Sequence, residues 1–65
     1  MFTINNKVNE ISFRHNNTEY YAIRIRPNGT IWNLTNCNNH NSSNYYTSTI
    51  EYMINNNDIK DLKAI

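Results

Sequence analysis

The chain has only one cysteine, one glycine and one proline among its 65 residues, and each shortage excludes a class of protein. Cys37 has no partner for an intrachain disulfide, which is typical of a protein kept in a reducing, intracellular compartment. Gly29 alone cannot build the glycine-rich loops that bring backbone close to phosphate in nucleotide enzymes. Signal-peptide and membrane-spanning runs are also lacking, so we expect a cytoplasmic protein without membrane contact.

No group of residues has the spacing of a catalytic or metal site. A nucleophile needs a base and an orienting residue, and the carboxylates, Cys37, His15 and His40 show no recognised arrangement. Cys37 and His40 have the spacing of half a zinc site, but a closed site needs about four ligands and only His15 is left. We therefore expect no enzymatic activity, no cofactor and no bound metal.

Charge is scarce, while asparagine is abundant. Six Lys and Arg against five Asp and Glu leave a formal charge of +1, which is unusually neutral for a protein that neutralises many phosphates. Asparagine occupies 15 of the 65 positions. It bonds to its own backbone and tolerates positive φ, so it can supply the turns that glycine and proline usually make. With Ile, Tyr and Lys it also reflects AT-rich codons, as in a phage or plasmid of a low-GC host.

The middle of the chain predicts a β-hairpin. Strand-like segments cover residues 20–26 and 30–35, and Pro27, Asn28 and Gly29 lie between them. Proline suits the second position of a type I turn, asparagine the third, and glycine the left-handed position of a G1 bulge. The sequence therefore predicts a three-residue loop with Gly29 at positive φ.

This hairpin and the segment before it predict a three-stranded meander. Its register places Arg24 opposite Trp32, residues 8–14 alternate apolar and polar side chains, and Asn16-Asn17 suit a two-residue turn. One face of the sheet would carry Ile11, Phe13, Tyr20, Ala22, Trp32 and Leu34. The other would carry Tyr21, Ile23, Ile25 and Ile31. Because both faces have apolar residues, the alternation does not decide which is the core.

The C-terminal third predicts a loop and then one helix. Residues 36–44 are polar and rich in chain breakers, as loops are. Ser48 and Glu51 have capping-box spacing, which predicts a helix that begins at Ser48. The apolar face of this helix consists of Ile50, Met53 and Ile54. Residues 55–57 should end the helix, and Asp58 should cap a final turn. Apolar residues of that turn are Ile59, Leu62 and Ile65.

We therefore expect one α+β domain over residues 1–65. Its antiparallel sheet of three to four strands forms a β-meander, and one C-terminal helix packs on one face of that sheet.

Arginine and aromatic residues on one predicted face supply the candidate binding residues, which are Tyr20, Arg24, Arg26 and Trp32. Arg24 and Trp32 could stack across the strands, and such a face has the composition of an interface. Alternatively, Tyr20 and Trp32 are core and the arginines form a solvated rim, since tryptophan is usually buried. We prefer the binding face, because charged arginines resist burial and the isoleucines of the other face suit burial under the helix.

Residues 23–30 (Ile-Arg-Ile-Arg-Pro-Asn-Gly-Thr) and 46–51 (Tyr-Thr-Ser-Thr-Ile-Glu) resemble the AP2-type and integrase arm-binding domains. The resemblance extends over about residues 20–57. In that family three antiparallel strands lean on one helix, and arginines of the first hairpin strand read DNA. The resemblance therefore implies the same fold and a DNA-reading role for Arg24 and Arg26.

Two functions compete. The first is a small, non-enzymatic protein-interaction module of a phage or mobile element, which inhibits or modulates a host or defence protein or nucleoprotein. The second is a small DNA-binding protein that uses its sheet face. Because a basic excess is lacking, we prefer the first. The expected partner is thus a host or defence protein or nucleoprotein, with DNA as the alternative and a homodimer as one possible assembly.

Overall fold

The computed structural model describes all 65 residues as one antiparallel sheet with a single helix on one face. The elements are β1 (Glu10–His15), β2 (Thr18–Arg24), β3 (Ile31–Asn36), β4 (Ser42–Tyr46), α1 (Thr47–Asn55) and β5 (Lys60–Ala64). In space the strands follow the order β4-β3-β2-β1-β5. The predicted α+β class is confirmed, and the sheet has five strands. The helix of nine residues is too short to cross a bilayer.

The β1–β2 hairpin turns on Asn16 and Asn17, as the sequence predicts. Both residues have positive φ, at 51° and 63°, and His15 pairs with Thr18 on either side of them. Positive φ at both central residues defines the type I′ turn, whose twist matches that of the flanking strands. Two asparagines therefore do here what Asn-Gly commonly does.

The β2–β3 hairpin has the predicted register but a different turn. Predicted pairs that the structure confirms are Arg24 with Trp32 and Ala22 with Leu34. The Gly29 N–H donates to Arg26 O at 2.9 Å, and the left-handed residue is Asn28, with a φ of 59°. Pro27 and Asn28 are thus the central residues of a type II turn. The prediction of positive φ at Gly29 is wrong: the same hydrogen bond would close a type I turn, but the left-handed residue is the third residue of the turn, Asn28, and not Gly29.

The connection between β3 and β4 is shorter at both ends than the loop predicted over residues 36–44. Strand β3 includes Asn36, and β4 begins at Ser42, which leaves five residues, 37–41, between the strands. The Asn36 N–H donates to Asn41 O at 2.8 Å, and the Asn36 side chain accepts from the Asn38 N–H at 2.9 Å. Serine and asparagine are poor strand formers, but pairing with β3 overrides this weak local preference.

Helix α1 begins at Thr47, one residue before the predicted start, and lacks the predicted capping box. Its N-cap is Tyr46, which makes no side-chain cap hydrogen bond, while Ser48 is exposed. Glu51 Oε2 instead accepts from the Ile4 N–H at 2.7 Å. The capping-box prediction is wrong because the carboxylate of Glu51 binds the N-terminal segment.

Asparagines end the helix, as predicted, but no helical turn follows. The side-chain amides of Asn56 and Asn57 donate to Tyr52 O and Met53 O at 2.8 and 2.7 Å. The bond to Met53 O satisfies a carbonyl that the last turn of the helix leaves free, while Tyr52 O also accepts from the Asn56 N–H at 3.0 Å. The final turn expected from Asp58 is wrong, because the chain continues into β5 and pairs antiparallel with β1.

The core lies between α1 and the sheet. Its seven buried apolar residues are Ile11, Phe13, Ala22, Trp32, Leu34, Ile50 and Ile54, and Met53 packs against them. The predicted apolar face of the helix is therefore confirmed. Trp32 has no exposed surface, and its Nε1 donates to Thr47 Oγ1 at 2.8 Å. This bond satisfies the one polar atom of the indole and fixes the start of the helix against β3.

The N-terminal segment, residues 1–9, lies along the helix and was not foreseen from the sequence. Phe2, Ile4 and Val8 pack against the core. The side chain of Asn55 forms two hydrogen bonds with the backbone of Phe2, accepting from its N–H and donating to its carbonyl, each at 2.8 Å. A side-chain amide thus pairs with this segment as a neighbouring strand would.

Candidate interaction surface

The predicted binding face, formed by Tyr20, Arg24, Arg26 and Trp32, faces α1 and is mostly interior. Trp32 has an exposed fraction of 0% and Arg24 of 7%. Tyr20 is half-buried and stacks on Phe13, with 5.4 Å between ring centroids. Arg26 alone is exposed, in the β2–β3 connection. The prediction that these residues form an exposed face is therefore wrong for Trp32 and Arg24, and partner contacts by Tyr20 and Arg26 stay a prediction.

Arg24 is buried because main-chain carbonyl groups and an aromatic ring satisfy its charge. Its Nε and Nη2 donate to Val8 O at 3.1 and 2.9 Å, Nη2 also donates to Asn5 O at 3.1 Å, and Nη1 donates to Gly29 O. The guanidinium carbon lies 4.6 Å from the centroid of the Trp32 ring. The predicted cation–π pair thus forms inside the protein. Arg24 links the N-terminal segment and the β2–β3 connection to the sheet.

Cys37 and His40 share the β3–β4 connection, His15 belongs to β1, and the three form no metal-binding cluster. His15 ends β1, Cys37 follows β3, and His40 occupies a left-handed position with a φ of 64°. No group of three or more His, Cys, Asp or Glu side chains is arranged to hold a metal ion.

No other element covers the side of the sheet opposite α1, which we call the outer face. It presents Ile23 and Ile25, with exposed fractions of 40% and 48%. Next to them, Ile31 pairs with Tyr46, whose exposed fraction is 61%. The Ile25 N–H donates to Ile31 O at 3.0 Å, so Ile25, Ile31 and Tyr46 form a row across the sheet. Ile23, Ile25, Ile31 and Tyr46 together are called the outer patch.

An open depression of about 330 Å³ lies at one end of the outer patch, beside the β2–β3 connection. Its lining consists of Ile25, Arg26, Gly29, Thr30 and Ile31. Apolar side chains therefore meet one unpaired arginine at this point. Such a depression suits an apolar or acidic side chain of a partner better than an enclosed small molecule.

Charged residues occupy the other end of the outer face, near β1 and β5. Arg14 lies 3.8 Å from both Glu19 and Asp61, in ion pairs that are largely solvent-exposed. The register places Lys60 beside Arg14 and Lys63 beside Ser12. Exposed ion pairs of this kind contribute little to stability. They do, however, partly neutralise the basic end of the outer face.

One tyrosine on the outer face has a perturbed titration. The Tyr21 hydroxyl donates a very short hydrogen bond to Glu10 Oε1. This bond, together with desolvation and the negative charge of Glu10, raises the pKa of Tyr21 above its ordinary value of 10.0. The pair stabilises the contact between β1 and β2 beside the outer patch.

The sequence contained a signal for the outer patch that the face assignment did not use. Five of the six residues of β1 and β3 on the face of Ile23 are polar or charged, with Ile31 as the exception, and the five are Glu10, Ser12, Arg14, Asn33 and Thr35. On the face of Trp32, four of the six residues of the same strands are apolar, and they are Ile11, Phe13, Trp32 and Leu34. Weighing whole rows of neighbours, rather than the isoleucines alone, would have placed the helix on the correct face.

Comparison of the chain with protein-family models, with curated proteins and with solved structures finds no match.

Proposed function

We propose that the protein is a small, non-enzymatic interaction module whose outer patch binds a host or defence protein or nucleoprotein. The observation that supports this most is the outer face, which carries four neighbouring apolar and aromatic side chains and has no covering element. Contiguous apolar surface on a small domain is typical of an interaction site. The asparagine-rich composition supports a phage or mobile element as the source, and hence a bacterial protein as the target.

The contribution of the outer patch to the free energy of binding can be calculated from the exposed fractions of its side chains. Burying the exposed half of Ile23 or Ile25 would contribute about 1 kcal/mol each, since complete burial of such a side chain is worth about 1.5–3 kcal/mol. Tyr46 adds an aromatic ring with a hydroxyl, which interfaces favour. Arg26 at the rim can pair with an acidic group of the partner. The outer patch therefore has the composition of an interface, with apolar residues at its centre and a charged residue at its rim.

A matched pair of substitutions tests this proposal. The protein, immobilised, would be used to capture its partner from a lysate of a low-GC bacterium, and the affinity of the captured protein would then be measured. Ile25→Ser should weaken binding by about fivefold, or about 1 kcal/mol. Leu62→Ser is the control. Leu62 has the same size as Ile25 and a similar exposed fraction, 37%, but it lies on β5, outside the outer patch. Fluorescence of the single, buried tryptophan would verify that both variants are folded.

Equal binding by Ile25→Ser and the unsubstituted protein would contradict the proposal, as would equal losses in Ile25→Ser and Leu62→Ser. A captured species that nuclease treatment removes would also contradict it and would favour nucleic acid as the partner.

DNA binding is the second candidate, and the basic residues at the β1–β5 end of the outer face favour it. These residues are Arg14, Lys60 and Lys63. Arg24, one of the two readers that the family resemblance implies, donates to carbonyl groups inside the protein, so only Arg26 is accessible. Phosphate contacts by these few cations predict a shallow salt dependence. Titration of duplex DNA at about 50 and 200 mM salt would test this: measurable binding that weakens only moderately would support the interface, and no binding at about 50 mM salt would contradict it.

A further inference from the structure

Strand β4 forms one edge of the sheet, and its backbone is directed outward at alternate residues. The Asn36 N–H donates to Asn41 O and the Thr47 N–H to Thr30 O, at 2.8 and 2.9 Å. Both bonds belong to the β3–β4 register, so the odd-numbered residues of β4 bond to β3. The even-numbered residues then point their N–H and C=O groups away from the sheet, and they are Ser42, Asn44 and Tyr46.

The two edges of the sheet differ in how they are protected. Strand β5 carries Lys60, Asp61 and Lys63, has a register shift against β1, and places Asp61 at a φ of 55°. Charges and irregularities of this kind prevent an edge from pairing with another chain. Strand β4 has no charged residue, no proline and no irregularity in its pairing. The unprotected edge is therefore β4.

We infer that β4 pairs with β4 of a second copy of this chain, in an antiparallel, two-fold symmetric dimer with a continuous ten-stranded sheet. The two-fold axis passes beside Asn44, so Asn44 faces Asn44 of the second copy and Ser42 faces its Tyr46. The Tyr46 carbonyl begins the helix as the N-cap. The remaining outward groups allow about four backbone hydrogen bonds, two between the Asn44 residues and one at each Ser42–Tyr46 pair.

The strand is complementary to itself, which a two-fold interface requires. Asn44 Oδ1 accepts from Asn33 Nδ2 at 3.0 Å, which leaves the Asn44 amide N–H groups free to donate across the axis. A side-chain amide both donates and accepts, so two asparagines can face each other. Since β4 has no charge, no like charges meet in the dimer. A second copy therefore satisfies the backbone of β4 without an electrostatic cost.

Sedimentation velocity tests the dimer, over about 5 µM to 1 mM because a five-residue edge pairing makes a small interface. The protein of 7.7 kDa should approach twice that mass as concentration rises. Asn44→Lys should remain monomeric, because two like charges would meet on the axis. Asn33→Lys is the matched control, since it removes the same side-chain hydrogen bond and adds the same charge on the neighbouring strand. It should dimerise like the unsubstituted protein.

A mixture gives a second, independent readout. Asn44→Lys and Asn44→Asp should each be monomeric alone and form a heterodimer together, because opposite charges then meet on the axis. In the unsubstituted protein, amide exchange at Ser42, Asn44 and Tyr46 should slow as concentration rises. Exchange at Ser43 and Tyr45 should be slow at every concentration, since these amides bond to β3 within one copy.

A protein that remains monomeric at about 1 mM would overturn this inference, as would equal dimerisation of Asn44→Lys and Asn33→Lys. Ile25→Ser, which tests the outer patch, should not change the dimer. The two proposals can therefore fail separately.

Discussion

Replacing Arg24 with methionine should destabilise the protein severely, although arginine is rarely a core residue. Methionine retains the apolar part of the side chain and removes the charge and all five N–H donors. The Asn5 carbonyl keeps one partner, the Val8 N–H at 3.2 Å. The carbonyls of Val8 and Gly29 lose the only hydrogen bonds that the protein gives them. The substitution therefore leaves two partly buried acceptors unpaired.

The magnitude follows from these losses. Each hydrogen bond to a charged group contributes about 1.5–3 kcal/mol, and the stacking on Trp32, which is desolvated, about 2 kcal/mol. Water can reach the freed carbonyls after the substitution and recover part of the loss. We expect Arg24→Met to lower the free energy of unfolding by about 3 kcal/mol. Since a chain of this size has a total stability of about 3–10 kcal/mol, the loss is a third or more.

Urea denaturation, followed by the fluorescence of Trp32, measures this loss directly. Arg26→Met is the control, because Arg26 lies two residues further along the chain and is exposed. It should change stability by less than about 0.5 kcal/mol. If Arg24→Met costs no more than Arg26→Met, then the hydrogen bonds to Val8, Asn5 and Gly29 do not stabilise the fold, and the reasoning is refuted.

Three further predictions concern single hydrogen bonds that are present or absent. Because the pKa of Tyr21 is raised in the folded state, the stability that this pair contributes is complete below about pH 10 and is lost as pH rises through the higher folded pKa. Glu10→Gln should return the pKa of Tyr21 toward its ordinary value in an NMR titration of the ring carbons, and an unchanged titration would contradict the assignment. Thr47→Val should lower the free energy of unfolding by about 1–2 kcal/mol, because the buried indole N–H loses its acceptor. Ser48→Ala should be nearly silent, since Ser48 makes no cap hydrogen bond, and a larger loss in Ser48→Ala than in Thr47→Val would restore the capping box.

The sequence predicted where the hairpin turns lie, but it did not predict which residue of each turn has positive φ. Of the five non-glycine residues with positive φ, three are asparagines, Asn16, Asn17 and Asn28, while Gly29 does not adopt positive φ. Asparagine supplies these left-handed positions because it tolerates positive φ better than most other residues except glycine. The choice between Asn28 and Gly29 depended on whether the turn is type I or type II, since the Gly29 N–H closes both, and the residue types alone allow either.

The last two strands could not be predicted because their own residues do not favour them. Strand β4 reads as a polar loop, and β5 reads as a helical turn that spaces Ile59, Leu62 and Ile65 along one face. Each forms because a neighbouring strand offers unpaired backbone groups, β3 in one case and β1 in the other. Strand pairing between distant residues therefore outweighs local propensity here.

The sequence by itself determined the meander register, the apolar face of the helix and the residues that end the helix. These features follow from period-two alternation, from i, i+3, i+4 spacing and from turn residues, all of which act between near neighbours. The tertiary structure decided which side of the sheet α1 covers, because the isoleucines of β2 and the rows of neighbouring residues favoured opposite faces. That choice depended on whether Arg24 could be buried, and its hydrogen-bond acceptors come from residues 5, 8 and 29, which the fold alone brings together. The same choice left Ile23, Ile25, Ile31 and Tyr46 uncovered, and so placed the candidate site on the opposite face.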